Sequence, residues 1–246
     1  MGSFKLIKYL VLIPTVTCIP LSAIAQKQVV HQNLLWTRYA LKLNINNHWS
    51  ASQEFEERTY WFPWRQHQFV SRSLAQYQFE NGWNFGGGIA YFLQAVPQDP
   101  HIKEYDNELE LRPQLELAYK ERFSEKFTVS HRYWSEFRYF KPQNDNIRYG
   151  NIRMRYKLEI QYRPITNVTF KIYDEVFVNI GKNIGYNVFD QNRIGASIQY
   201  MPVHNVGFEL GYLNWFQQRA SGNNFYNRNI IRLSIHHNIN FKSKAP

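Results

Sequence analysis

The chain has one cysteine, Cys18, and it falls within the first 25 of 246 residues. An intramolecular disulfide and a catalytic thiolate are therefore excluded from the rest. Long apolar runs are equally scarce. Past the N-terminal segment none approaches the ~18–20 residues that a membrane-spanning helix requires, and the mean hydropathy is −0.52. Runs of like charge are missing too. The formal net charge is +10, yet the lysines and arginines are scattered singly among glutamates, whereas a nucleic-acid footprint gathers them into a patch or stripe. These absences exclude a helical membrane protein and argue against nucleic acid as a partner. They leave open a β-barrel, whose strands alternate in polarity and so keep a low average hydropathy. Aromatic residues make up 17% of the chain, too many large apolar groups for a disordered chain to leave in water.

The first 25 residues read as a secretory signal peptide. Lys5 and Lys8 form a basic start, residues 9–19 are mostly apolar, and Ala23-Ile24-Ala25 supplies small residues for cleavage before Gln26. Pro14 and Pro20 oppose a stable spanning helix here. A lipoprotein reading would acylate Cys18, but Thr17 is larger than the small residue expected before it. Removing the segment leaves a second unit, residues 26–246, with a net charge of +8.

That unit reads as strand after strand. In residues 108–119, Leu109, Leu111, Leu115, Leu117 and Tyr119 share one face, while Glu108, Glu110, Arg112, Gln114 and Glu116 share the other. Successive side chains of a strand point to opposite sides, so the segment has one apolar and one charged surface. Pro113 is awkward there, since it lacks a ladder donor. Residues 152–162 repeat the pattern, with Ile152, Met154, Tyr156, Leu158, Ile160 and Tyr162 opposite Arg153, Arg155, Lys157, Glu159 and Gln161. Residues 127–139 do so again. Weaker cases cover 35–45, 49–60, 67–79, 83–93, 168–178, 192–200, 206–216 and 227–239, which makes eleven segments.

The connections alternate in length. Short ones fall at Asn46-Asn47, Asn81-Gly82, 122–125, 164–167 and 202–205, with the Asn, Gly and Pro of hairpin turns. Longer ones fall at 61–66, 94–106, 140–147, 179–191 and 217–226. Short periplasmic turns opposite longer outer loops are the pattern of an outer-membrane barrel. Trp49, Tyr77, Phe79, Trp83, Tyr119, Phe127, Tyr162 and Tyr200 stand beside the short turns. Trp36, Tyr60, Tyr91, Tyr139, Trp215 and Tyr226 stand toward the long loops, and the two sets predict two aromatic girdles. A soluble barrel or sandwich with its apolar face turned inward is the rival architecture. Bacterial single-chain barrels have an even strand count, so the expectation is an all-β, closed antiparallel transmembrane barrel of about 12 strands, with 10 as the alternative. Residues 26–34 would then form a short extra strand or thread the lumen, unless one segment is wrongly divided.

The polar faces collect Glu54, Glu56, Arg58, Arg72, Glu108, Glu110, Arg112, Glu116, Arg132, Glu136, Arg138, Arg153, Arg155, Lys157, Glu159, Lys171, Glu175, Arg193, Glu209 and Arg232. In such a barrel they would line the lumen, either as a mutually paired ionic network or as a narrow polar pore with weak anion preference. Both imply a non-enzymatic barrel, structural or passing small solutes.

An outer-membrane lipid or lipopolysaccharide hydrolase is the second class. It needs a nucleophile beside a base, and Ser130-His131 is the tempting pair. Strand neighbours point to opposite faces, which separates them, and His236-His237 fails likewise. Asp174-Glu175 would be an acid/base pair only if Asp174 also turned inward. His101, Glu104 and Asp106 share one loop, a spacing that a solvated loop explains as well as a metal site does. No cofactor or metal is therefore assigned. Gly86-Gly87-Gly88 lies inside a strand pattern and marks a bend or close packing. A third class is a surface receptor or adhesin using loops 94–106 and 179–191.

Several stretches resemble the bacterial family known as domain of unknown function 2490. They are LLWTRYALKLNINNHWS (34–50), HRYWSEFRY (131–139), NIRMRYKLEIQY (151–162), and DEVFVN (174–179) followed by FDQNRIGASIQY (189–200). The resemblance spans nearly all of the chain after the signal peptide. It implies an outer-membrane barrel and no established activity. The partners to expect are the lipid bilayer, lipopolysaccharide and the barrel-assembly machinery, with the oligomeric state open.

Overall fold

The computed structural model describes residues 27–142 and 145–241. The expected signal peptide, residues 1–25, lies outside them. The described chain forms eleven strands. They are β1 (Gln28–Asn44), β2 (Trp49–Tyr60), β3 (Arg65–Gln78), β4 (Trp83–Val96), β5 (Asp106–Arg122), β6 (Phe127–Lys141), β7 (Arg148–Ile165), β8 (Val168–Ile180), β9 (Phe189–Val203), β10 (Val206–Gln218) and β11 (Asn224–Asn240). Each pairs with its chain neighbours, and β1 pairs with β11 to close a barrel.

Every neighbouring pair is antiparallel except the closing one. β1 and β11 run parallel in unbroken register from Gln28↔Asn224 to Asn44↔Asn240. The count is thus eleven, one below the twelve expected from the even-number rule. Residues 28–34 neither form a separate strand nor thread the lumen, because they begin the 17-residue β1 in the wall. Parallel hydrogen bonds pair the backbone as completely as antiparallel ones, so an odd count closes without an open edge.

Alternation sets the two surfaces. On β5, Glu110, Arg112, Gln114 and Glu116 are buried inside, while Leu115 and Leu117 are exposed on the outer wall at 45% and 39%. On β7, Arg153 and Arg155 are buried while Met154, Tyr156 and Ile160 are exposed. The soluble rival, with its apolar face inward, is not what folds. The expected strands hold but run longer, so that the long-loop connections shorten to 61–64, 97–105, 142–147, 181–188 and 219–223. Pro113 is accommodated because the β5–β6 pairing skips Arg112 and Pro113 between Leu111↔Tyr139 and Gln114↔Glu136. Gly88 marks a close approach. A Cβ there would lie 2.0 Å from the Ser73 carbonyl oxygen of β3.

The aromatic rim at the short-turn end stands on the outside. Trp49 meets Tyr77 at 5.1 Å, Trp83 meets Tyr119 at 5.0 Å, and Phe127 stacks on Tyr162 at 4.7 Å between centroids. The opposite girdle is only half formed. Tyr91 is exposed outside, but Trp36, Tyr60 and Trp215 are buried in the lumen. Trp36 shares parity with Leu34 and Arg38, and that face of β1 turns inward.

Candidate functional site in the barrel lumen

Every strand contributes inward side chains at alternate positions, so charges far apart in sequence meet across the lumen. Glu136 of β6 stands at the centre and is fully buried. Arg153 donates to it through Nε at 2.7 Å and also through Nη2, and Arg155 donates through Nη1 at 2.7 Å. Arg153 reaches on to Asp190 at 3.0 Å, and Arg155 to Glu175 at 2.7 Å, which Arg132 also meets at 2.9 Å. Beside this group, Glu110 accepts from Arg112 at 2.6 Å and from Arg138 at 2.5 Å. A guanidinium fork matches a carboxylate, and pairing of this kind is what makes burial of both charges tolerable.

A second group surrounds Glu209 of β10. Lys171 donates at 2.7 Å and Arg232 at 3.0 Å, and His236 Nε2 lies 3.1 Å away. Glu54 accepts from Arg72 at 2.7 Å, Glu56 from Arg58 at 2.6 Å, and Glu116 from Gln76 at 2.6 Å. Lys157 pairs with Glu159. Glu116 makes no ion pair among the described residues, and two more of the charged residues singled out in the sequence make none. Glu108, near the long-loop end, makes no ion pair among the described residues. Arg193 makes none either, and rests on aromatic rings instead: Trp215 at 4.6 Å, Phe177 at 4.8 Å and Trp36 at 5.4 Å.

Several lumen residues escape sequence reasoning. Asp190 falls within a segment read as loop. Arg38 belongs to β1, whose alternation is weak. Arg228 is fully buried and donates to Gln32 at 2.7 Å, Gln217 at 2.5 Å and Gln98 at 2.6 Å. It shares parity with Arg232, and that was the available signal.

The lumen is not uniform along its axis. Toward the long-loop end it is filled. Leu34, Tyr60, His67, Gln191, Leu213, Ile230 and Arg228 are each at most 1% exposed, which leaves no water-sized path among them. Segment 97–105 closes over this end. Arg65 Nη1 holds the carbonyls of Pro97 at 2.9 Å and Asp99 at 2.6 Å, and Gln32 donates to the Gln98 carbonyl at 2.9 Å. Below the plug lies a cavity of about 310 Å³ lined by Glu54, Arg72, Arg132, Glu175, Arg193 and Arg232, among others. A further space of about 260 Å³, reaching Lys42, Gln78 and Lys120 at the short-turn end, shares Gln76, Glu116, Arg132, Lys157 and Glu159 with it.

The candidate catalytic pairs separate. His131 Nδ1 lies 2.9 Å from the hydroxyl of the outward-facing Tyr156, and no hydrogen bond joins it to Ser130. His237 Nδ1 lies 2.9 Å from Tyr39 on the outside, while His236 points inward. Asp174 turns outward to Asn192 at 2.5 Å, opposite Glu175. Among the described residues no group of three His, Cys, Asp or Glu is placed to hold a metal ion.

The fold and lumen define a closed β-barrel with an apolar exterior and a charged, partly plugged interior. The chain belongs to the family described as protein of unknown function (DUF2490), whose model matches residues 33–226. Among solved structures it is similar to the NanC porin in its rhombohedral crystal form, with 12% identity and a TM-score of 0.52 over 83% of this chain and 97% of that one. At that identity the likeness is one of fold. No curated protein matches the chain.

Proposed function

We propose that this protein is a non-enzymatic barrel of the bacterial outer membrane, exported by residues 1–25, whose lumen is a narrow passage for small solutes held shut toward the outside. The observation that carries this reading is the inversion of the two surfaces. Ile172, Ile194 and Leu210 stand more than half exposed on the outer wall while the charges are enclosed. Apolar surface of this extent facing outward is stable against acyl chains and costly in water. The long-loop end would face outward, following the usual barrel orientation. The enclosed ionic lumen supports passage of polar solutes, and the plug at Arg228, His67 and Gln98 supports a closed resting state. A purely structural barrel is the second reading, favoured by how completely the plug is packed.

Planar-bilayer recordings of the refolded protein test this. The wild type is expected to show little steady conductance, and Arg228→Gln to show frequent openings, because it releases Gln32, Gln98 and Gln217 together. A large steady conductance in the wild type would overturn the closed state. Silence in both, with liposomes impermeable to small sugars, would leave the structural reading.

A further inference from the structure

The central cavity is lined by nine basic residues and six acidic ones. Most of the basic residues are engaged, since Arg72, Arg132, Lys171 and Arg232 each hold a carboxylate. Arg193 holds none. Its guanidinium lies at the closed end of the cavity against Trp36, Phe177 and Trp215. Aromatic faces orient a guanidinium and leave its in-plane donors free for a planar anion. The remaining lining includes the neutral hydrogen-bonding side chains of Ser52 and of Gln76, whose amide nitrogen already serves Glu116, and both suit hydroxyl groups. The volume falls at the lower end of the range of small-molecule sites, and the approach leads from the short-turn end past Lys42 and Lys120.

We propose that this cavity binds a small polyhydroxylated organic anion, with Arg193 as the group that grips its carboxylate or phosphate. The inference deepens the passage reading by naming the solute class, and it rests on that reading. A net positive, low-dielectric enclosure with one unpaired guanidinium attracts a single compensating anion. A neutral sugar of the same size would leave that charge uncompensated.

Isothermal titration of the refolded, full-length barrel in detergent tests this without requiring passage or a membrane. The probes are gluconate, glucose and inorganic phosphate. Gluconate is expected to bind saturably and glucose not to bind. Arg193→Gln is expected to weaken gluconate by about tenfold or more, because it removes a charge-assisted bidentate contact. Arg193→Lys should weaken it less, and Lys182→Gln in the exposed 181–188 segment should leave it unchanged. Heat-modifiable migration checks that each variant is folded. If Arg193→Gln does not fold, the Lys variant and the wild-type contrast of gluconate against glucose decide the matter.

No saturable gluconate binding to the wild type, or binding unchanged by the Arg193 substitutions, would overturn the anion site. Phosphate binding as tightly as gluconate would overturn the organic part of the assignment. A barrel that binds gluconate but never conducts would instead count against the passage reading alone.

Discussion

The indole rings of Trp36 and Trp215 meet edge to face inside the barrel, 5.8 Å apart at an angle of 72°, although β1 and β10 are separated by β11. Arg58 lies over Trp36 at 3.9 Å and Arg228 over Trp215 at 4.3 Å, so this pair is the aromatic floor on which the plug is built. Trp215→Ala is expected to cost about 3–5 kcal/mol of folding stability and to raise the conductance of the refolded protein. A variant as stable and as silent as the wild type in urea titration and bilayer recording would show that the plug does not depend on it.

Glu136 binds two arginines at once, and its neutralisation leaves Arg153 with Asp190 alone and Arg155 with only the Glu175 that it shares with Arg132. Glu136→Gln should lower stability by about 3–5 kcal/mol. Adding Arg155→Gln should restore part of the loss, because one of the two cations that shared Glu136 is then neutral, and Glu175 keeps Arg132. Unfolding midpoints followed by tryptophan fluorescence provide the double-mutant cycle. Additive losses would show that the residues do not act as a unit.

The triple glycine in β4 separates into tolerant and intolerant positions. A methyl at Gly88 would collide with the Ser73 backbone, whereas at Gly87 the nearest atom is Leu115 Cδ2 at 3.6 Å. Gly88→Ala is expected to cost about 1–3 kcal/mol by overpacking, seen as reduced refolding yield, and Gly87→Ala to be nearly neutral. Equal behaviour of the two would contradict the tight β3–β4 approach.

Membrane orientation has its own test. Ile172 points outward and is 56% exposed. In lipid vesicles Ile172→Arg should destabilise the barrel by about 2–4 kcal/mol, as a cation near the bilayer midplane does, while Ile172→Leu should be neutral. If the Arg variant folds into vesicles as favourably as the wild type, this wall does not face acyl chains.

How much of this was legible in advance depends on range. The period of two is local, because each residue's side is set by its own backbone. Strands such as 49–60 and the assignment of Glu110, Arg112, Glu136 and Arg153 to one kind of face therefore come from sequence alone. Asp190 was missed because strand ends are extended by pairing with a neighbour, here the ladder that brings β9 to Phe189.

What the amino-acid order determined by itself is the alternation, the turns between strands and the composition of each face. The tertiary structure alone decided that eleven strands close through a parallel β1–β11 seam, that Trp36, Tyr60 and Trp215 turn inward to fill one half of the lumen, and that Arg193 is left without a carboxylate. Closure and charge pairing join residues up to about two hundred positions apart, as in Arg228 with Gln32. No local pattern encodes such a partner, because it is selected only when the whole sheet curls and brings every inward side chain into one enclosed space.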